Sequence, residues 1–184
     1  MKILSIDIGI TNLGYVFSED LSVIKCNRVN ITNVRHTAVK ECNCKLRHDR
    51  CIPDYLDHFI QENVDMFNCS ELILIERQPP VGLCNVQDIL FTKFRSKVLL
   101  ISPRSVHKFF KMSKDYTIRK EESERIASEY LSCFVDFSDN FRKHDIADAM
   151  LMIIYNNKNP NKIKKYTNPI DFFEQFRFTK ILIT

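Results

Sequence analysis

The strongest structural signal in this chain lies in the segment Lys2-Ile-Leu-Ser-Ile-Asp-Ile-Gly-Ile-Thr-Asn-Leu-Gly-Tyr-Val-Phe17. Branched apolar residues at positions 3, 4, 6 and 8 predict a strand that is buried on both faces in the middle of a sheet. Asp7 interrupts this run. A carboxylate inside such a strand is unfavourable unless a metal ion or a cationic group neutralises it. We therefore predict a functional role for Asp7; the alternative is a hairpin with an incidental acid at a strand end.

Two of the three glycines, Gly9 and Gly14, flank the turn between this strand and a second apolar run at residues 15–17. A glycine at such a place predicts either a positive φ angle or the close approach of another group, such as a phosphate.

The composition is that of an ordinary globular domain. The chain has 184 residues, of which 45% are hydrophobic and 27% are charged, and a single domain is the simplest expectation. No apolar run approaches the ~20 residues that cross a bilayer, so we predict no membrane partner. Asp7 lies in the first hydrophobic run, which argues against a secretory signal. The chain has seven cysteines, an odd number, and without a secretory signal we expect them to be reduced thiols in a cytosolic or nuclear compartment.

Positive charge is concentrated in two regions. Residues 93–120 contain nine Lys or Arg and a single acid, Asp115, and the tail adds Lys158, Lys162, Lys164 and Lys165. Such a local excess favours a polyanionic partner, because neutralising phosphates releases counterions. The alternative is a solvated surface without a partner.

Four potential zinc ligands occur in Cys42-x-Cys44-x3-His48-x2-Cys51. Their spacing matches no common zinc finger, so we leave this cluster unassigned.

The hydrophobic pattern predicts an order of elements. Three antiparallel strands end near residue 31, and a helix at residues 52–67, a strand at 71–76, a helix at 85–97 and a strand at 98–101 follow. Asn85 and Asp88 form a predicted capping box. A short helix begins at Pro103, and longer helices cover residues 119–133 and 142–155. This order predicts an α/β fold with a mixed five-stranded sheet and helices on both faces.

Four acids are expected to converge in this fold. Asp145 and Asp148 lie three residues apart and share one helix face. Asp7 and Glu76 lie on strands that the predicted sheet makes neighbours. Four carboxylates suit Mg²⁺ or Mn²⁺, and two such ions ~4 Å apart support in-line hydrolysis of a phosphodiester. For the helical pair alone, an exposed first turn with acids favoured by the helix dipole is an equal alternative.

These motifs resemble a known family. Asp7-x-Gly9-x4-Gly14, the Glu76 strand and the Asp145-x-x-Asp148-Ala helix together resemble the RuvC-type Holliday junction resolvases, which have an RNase H-like fold. The segment Leu74-Ile-Glu-Arg-Gln-Pro79, followed by Ser102-Pro103, is similar to the poxvirus members. The resemblance covers residues 2–155. It implies a homodimer that introduces paired nicks into four-way DNA junctions and, in a poxvirus, resolves concatemeric genomes in cytoplasmic virus factories.

The resemblance also implies roles for individual residues. Asp7, Glu76, Asp145 and Asp148 would bind two Mg²⁺ ions, for which Mn²⁺ can substitute. Lys120 would contact the scissile phosphate, with Arg119 or Lys114 as alternatives. Residues 1–156 would form the nuclease domain and residues 157–184 a basic tail with a short amphipathic segment. The residues assigned to DNA binding are Arg77, Lys93, Arg104, Lys108, Lys111, Lys114 and Arg119.

One departure from the family pattern is His144, where many relatives have an acid. A neutral His there can still ligate metal or position water.

Three other functions were weighed. Asp7-x-Gly-x-Thr11 also resembles the first phosphate loop of the sugar kinase and actin ATPases, but those proteins need a second lobe and a second glycine-rich loop, and one glycine remains after Gly14. Another RNase H-like nuclease that cuts RNA–DNA hybrids or flaps would use the same acids. A catalytically silent DNA-binding module is the non-enzyme alternative, against which the intact set of acids argues.

Overall fold

The computed structural model describes residues 1–32 and 51–160. The strands are β1 (Lys2–Asp7), β2 (Leu13–Glu19), β3 (Ser22–Val29), β4 (Leu72–Glu76) and β5 (Val98–Ile101). The helices are α1 (Ile52–Glu62), α2 (Val64–Cys69), α3 (Cys84–Lys93), α4 (Pro103–Phe109), α5 (Tyr116–Leu131), α6 (Val135–Ser138) and α7 (Lys143–Lys158). Within these residues, no helix is long and apolar enough to span a bilayer.

The strands form one mixed sheet in the order β3-β2-β1-β4-β5. β1 and β2 are antiparallel, as are β2 and β3, whereas β4 runs parallel to both β1 and β5. β1 therefore lies at the centre of the sheet, between β2 and β4. The predicted five-stranded mixed sheet is confirmed.

Helices cover both faces of the sheet. α1, α2 and α3 pack on one face, and α4, α5, α6 and α7 pack on the other. α7 is the most deeply buried helix, because nearly every residue from Asp145 to Asn156 is shielded from solvent. β1 is consequently covered from both sides, and its residues Ile3, Leu4 and Ile6 are at most 1% exposed. This agrees with the nearly continuous apolar run of the first strand.

The predicted helix at residues 52–67 is interrupted at Asn63. The Asn63 side-chain amide donates to the carbonyl of Phe59 (2.9 Å), and its oxygen accepts from Lys25 Nζ (3.1 Å). The local side-chain bonds of Asn63 compete with helix continuation, so the chain forms α1 and α2 in place of one helix.

The predicted capping box at Asn85 is wrong. α3 begins at Cys84 after Leu83, without a side-chain cap, and Asn85 Oδ1 accepts from the next backbone amide, that of Val86 (2.9 Å). The helix also ends at Lys93, four residues before the predicted end. Lys97 Nζ instead donates to the carbonyls of Phe67 (2.6 Å) and Ser70 (3.0 Å) at the end of α2. Tertiary contacts therefore override the local signal.

Two other helix assignments differ from the prediction. α5 begins at Tyr116 and not at residue 119, because the Asp115 side chain caps it by accepting from the Ile118 amide (3.0 Å). The short helix α6 was not predicted. Residues 33–50 and 161–184 lie outside the described residues, and with them Cys42, Cys44, His48 and the amphipathic segment of the tail.

The expected positive φ at Gly9 or Gly14 is wrong, because no glycine in the chain has one. The alternative, a close approach, is confirmed, although the approaching group is not a phosphate. A Cβ atom at Gly14 would lie 2.1 Å from the backbone oxygen of Asp145. The first turn of α7 therefore rests directly on β2, and this contact requires a residue without a side chain.

Gly14→Ala is expected to lower the free energy of unfolding by at least about 1–3 kcal/mol, because the backbone of α7 must move away from β2. Urea denaturation would measure the loss. Gly82→Ala is the matched control, since Gly82 lies in an exposed loop and its added methyl group would meet side-chain atoms of Pro79 and Gln78. Equal losses in the two variants would contradict a special requirement at Gly14.

Candidate active site

Asp7 and Glu76 end two adjacent parallel strands. Ile6 pairs with Ile75 in the sheet register, so the next residue on each strand places its carboxyl group at the same edge. The two carboxyl groups are hydrogen-bonded to each other, and Asp7 is only 9% exposed. Burial raises the pKa of Asp7 well above its usual range, and repulsion from Glu76 and Asp148 adds to this effect.

Burial also raises the pKa of Glu76, although hydrogen bonds from Asp7 and Gln78 partly oppose this effect. Gln78 Nε2 donates to Glu76 Oε2 at 2.7 Å. The backbone amide of Gln78 donates in turn to the side chain of Gln87 on α3 (2.9 Å). The loop after β4 thus fixes the orientation of the Glu76 carboxylate.

Asp148 on α7 faces the same pair of acids. Asp7, Glu76 and Asp148 line one cleft, whose other walls come from α4 and α7. Lys120 Nζ lies 2.5 Å from Asp148 Oδ2, and Ser123 Oγ donates to Asp148 Oδ1 at 2.7 Å. Burial acts to lower the pKa of Lys120, but the Asp148 carboxylate outweighs it and raises that pKa. The cleft is therefore lined by three acids, one of which is paired with an ammonium group.

Asp145 occupies a different environment, although it lies one helical turn from Asp148. Its Oδ2 accepts from Arg142 Nε (2.8 Å), its Oδ1 from Arg142 Nη2 (3.3 Å), and it does not line the cleft. The side chain of Asp145 is 7% exposed. His144 Nε2 is 3.3 Å from Asp145 Oδ1 without hydrogen-bond geometry, and His144 Nδ1 is 3.5 Å from Glu124 Oε1. The predicted set of four acids thus divides into three in the cleft and one paired with Arg142.

The donor chemistry of the cleft fits a hard divalent cation. Among residues 1–32 and 51–160, no three acidic, His or Cys side chains are arranged as a finished metal site. Asp145 and Asp148 are instead each paired with a cationic side chain. The three carboxylates of the cleft nevertheless supply the oxygen ligands that Mg²⁺ and Mn²⁺ prefer, and a cation would neutralise the repulsion that Glu76 and Asp148 exert on the buried Asp7.

Comparison with solved structures identifies the architecture. The chain is similar to the fowlpox virus resolvase in complex with Holliday junction DNA (16% identity, TM-score 0.61, 87% of this chain and 99% of that chain). It is also similar to the yeast mitochondrial Holliday junction resolvase Ydc2 (20% identity, TM-score 0.60, 95% and 85%). A third similar structure is T. thermophilus RuvC with a Holliday junction substrate (15% identity, TM-score 0.55, 88% of this chain and 96% of that chain).

The chain has the fold of the RuvC-type resolvases. This confirms the fold that the resemblance of the Asp7, Glu76 and Asp145–Asp148 motifs implied. No protein-family model and no curated protein sequence matches the chain.

His107 is a residue of the cleft that sequence reasoning missed. It lies on α4, one turn after Pro103, and both residues line the cleft beside the acids. Burial lowers the pKa of His107, and Arg119 and Lys120 lower it further. The signal in the sequence was the i, i+4 spacing from Pro103, which points both side chains to one side of a helix.

The basic residues assigned to DNA binding do not form one surface. Arg104, Lys108, Lys111, Lys114 and Arg119 lie on or between α4 and α5, next to the cleft. Arg77 is exposed and directly follows Glu76. Lys93 lies at the end of α3, on the opposite face of the sheet, and is paired with Asp57. Lys93 is therefore separated from the basic residues of α4 and α5, because β5 intervenes between α3 and α4.

Because the pKa of Asp7 is raised in the folded protein, the stability of the fold should depend on pH. The folded protein binds the proton of Asp7 more tightly than the unfolded chain does, so this acid lowers the stability as the pH rises above 3.8, the ordinary pKa of an aspartate. We expect Asp7→Asn to raise the Tm at pH 7 in EDTA, by roughly 2–4 °C for each ~1 kcal/mol gained. The gain should vanish below pH 3.8, where both side chains are neutral.

Calorimetry across this pH range would measure the difference. Glu62→Gln is the matched control, because Glu62 is exposed and its replacement should leave the Tm nearly unchanged at every pH. A lower Tm for Asp7→Asn at neutral pH would show that the Asp7 carboxylate stabilises the fold.

Proposed function

We propose that this protein is a structure-selective endodeoxyribonuclease that resolves four-way DNA junctions by paired nicks, with Mg²⁺ as its cofactor. The observation that carries the proposal is the placement of Asp7, Glu76 and Asp148 in one cleft of a RuvC-type fold, with Lys120 paired to Asp148. The fowlpox virus protein and Ydc2 are described as resolvases, and the structures of the fowlpox virus protein and of T. thermophilus RuvC contain a Holliday junction.

The residues in and beside the cleft would have two roles, cation binding and contact with the scissile phosphate. Asp7, Glu76 and Asp148 would hold the cations, with Asp145 as a fourth ligand. Bound divalent cations supply activation of the attacking water and stabilisation of charge on the leaving oxygen. Lys120 positions Asp148 through their 2.5 Å contact and presents its remaining donors to the scissile phosphate.

Substrate binding is assigned to the basic side chains around α4 and α5. Arg104, Lys108, Lys111 and Lys114 are exposed, and they lie on α4 or between α4 and α5, next to the cleft that a DNA strand must enter for its phosphate to reach Lys120. Contacts of this kind read the phosphate backbone and the shape of the junction and not its sequence. A four-way junction has approximate two-fold symmetry, so we propose a homodimer that presents two equivalent clefts to opposite strands. By resemblance to the poxvirus members, its site of action would be cytoplasmic virus factories.

The central test is cleavage of a synthetic four-way junction. With Mg²⁺ or Mn²⁺ we expect symmetric nicks in opposite strands, and no cleavage in EDTA. Asp7→Asn should abolish cleavage and retain junction binding, which a mobility-shift assay would measure in parallel. A linear duplex and an RNA–DNA hybrid serve as substrate controls. Preferred cleavage of the hybrid, or cleavage without metal, would overturn the assignment.

The role of Lys120 is tested by comparing two lysines. We expect Lys120→Ala to slow the single-turnover rate about 100-fold or more, because a charged donor at the reacting phosphate is lost, with a much smaller effect on binding. Lys114→Ala is the control: Lys114 is exposed, so its loss should weaken junction binding and leave the rate of bound complexes unchanged. Equal losses of rate and binding in Lys120→Ala would reassign Lys120 to backbone contact.

A further inference from the structure

Asp145 is the one proposed cation ligand that lies outside the cleft, and its partner Arg142 accounts for this. Two guanidinium nitrogens of Arg142 contact the two oxygens of the Asp145 carboxylate, at 2.8 and 3.3 Å. Such a two-point contact is among the stronger ion pairs, and it uses the oxygens that a cation would need. Asp145 is therefore unavailable as a ligand while this pair is intact.

The backbone of Arg142 is held in place by a chain of side-chain hydrogen bonds. Its amide donates to Asn140 Oδ1 (3.0 Å), which also accepts from Arg28 Nε (3.1 Å). Arg28 Nη1 donates in turn to Asn12 Oδ1 (2.6 Å), in the turn between β1 and β2. This network ties the backbone of Arg142 to the sheet and leaves its guanidinium to contact the Asp145 carboxylate.

The Arg142 guanidinium could bind a second partner, a phosphate group at the cleft. It is 36% exposed, whereas Asp145 is 7% exposed, so the guanidinium is the partner that reaches solvent. It is also close enough to Asp7 to interact with its charge, which places it beside the cleft. A guanidinium binds a phosphate with the same two-point geometry as a carboxylate.

We propose that Arg142 couples DNA binding to metal binding by exchanging Asp145 for a phosphate of the substrate. In the free protein the Arg142 guanidinium is paired with the Asp145 carboxylate. When a DNA strand enters the cleft, the guanidinium turns to a backbone phosphate, and Asp145 becomes free to complete the ligand set with Asp7, Glu76 and Asp148. The inference rests on the proposed function, and it makes full metal loading dependent on a bound polyanion.

The first test measures Mn²⁺ binding to the full chain without DNA, by isothermal titration calorimetry. We expect Arg142→Gln to bind Mn²⁺ about tenfold more tightly than the wild type, since the ion no longer displaces a guanidinium. Lys143→Gln is the matched control, because it removes the same charge from the next residue, whose ammonium lies near the Phe137 ring. An equal gain in Mn²⁺ affinity in both variants would show that the gain comes from the loss of one positive charge, and it would overturn the proposal.

Arg142→Lys provides a variant that keeps the charge and so protects the fold. It loses the two-point geometry, and we expect an intermediate gain in Mn²⁺ affinity. An affinity identical to that of the wild type would show that the two-point contact does not restrain Asp145.

The second test is a double-mutant cycle of junction binding in EDTA, where no metal takes part. Asp145→Asn frees Arg142 and should tighten DNA binding about tenfold when Arg142 is present, but only slightly in the Arg142→Gln background. Equal tightening in both backgrounds would show that Arg142 does not receive the DNA phosphate. Neither test depends on cleavage, so an inactive protein would refute the nuclease proposal and still leave the exchange measurable.

Discussion

A carboxyl group at the end of a fully covered strand is the constraint on which this structure depends. Asp7 ends β1, which has α7 above it and α1 and α2 below it, and Glu76 lies beside it at the end of β4. Burial and mutual repulsion disfavour two negative charges at this place. The surrounding groups, above all Lys120 and Gln78, compensate this charge only in part. The cleft therefore keeps negative charge that a divalent cation would neutralise.

The position of α7 determines which acids join this pair. Its first turn lies on Gly14 of β2, where even a methyl group would collide with the Asp145 carbonyl. The contact fixes the height of the helix, and its apolar residues from Ile146 onward fix its rotation against the sheet. As a result Asp148 lines the cleft, and Asp145 lies one turn earlier, where Arg142 pairs with it. Asp145 and Asp148 thus have different surroundings, although they lie only one turn apart on the same face of α7.

Much of the site could be predicted from local patterns because its acids lie at the ends of strongly patterned elements. Asp7 interrupts an apolar strand, Glu76 ends another, and Asp148 opens a helix with an apolar face. His107 and Arg142 were missed, since their importance comes from neighbours distant in sequence or from the rotamer of a partner. The predicted capping of α3 failed for a related reason: contacts with the loop and with α2 determined the ends of that helix.

The amino-acid sequence by itself determined the order of strands and helices, the central place of β1 and the acids at its edge, because hydrophobic periodicity and a buried charge are local signals. Only the tertiary structure decided which charges meet. It paired Lys120 with Asp148 and Arg142 with Asp145, and it carried Lys93 to the opposite face of the sheet. Electrostatic partners depend on distances of a few ångströms between side chains from separate elements, and such distances exist only after the helices have packed on the sheet.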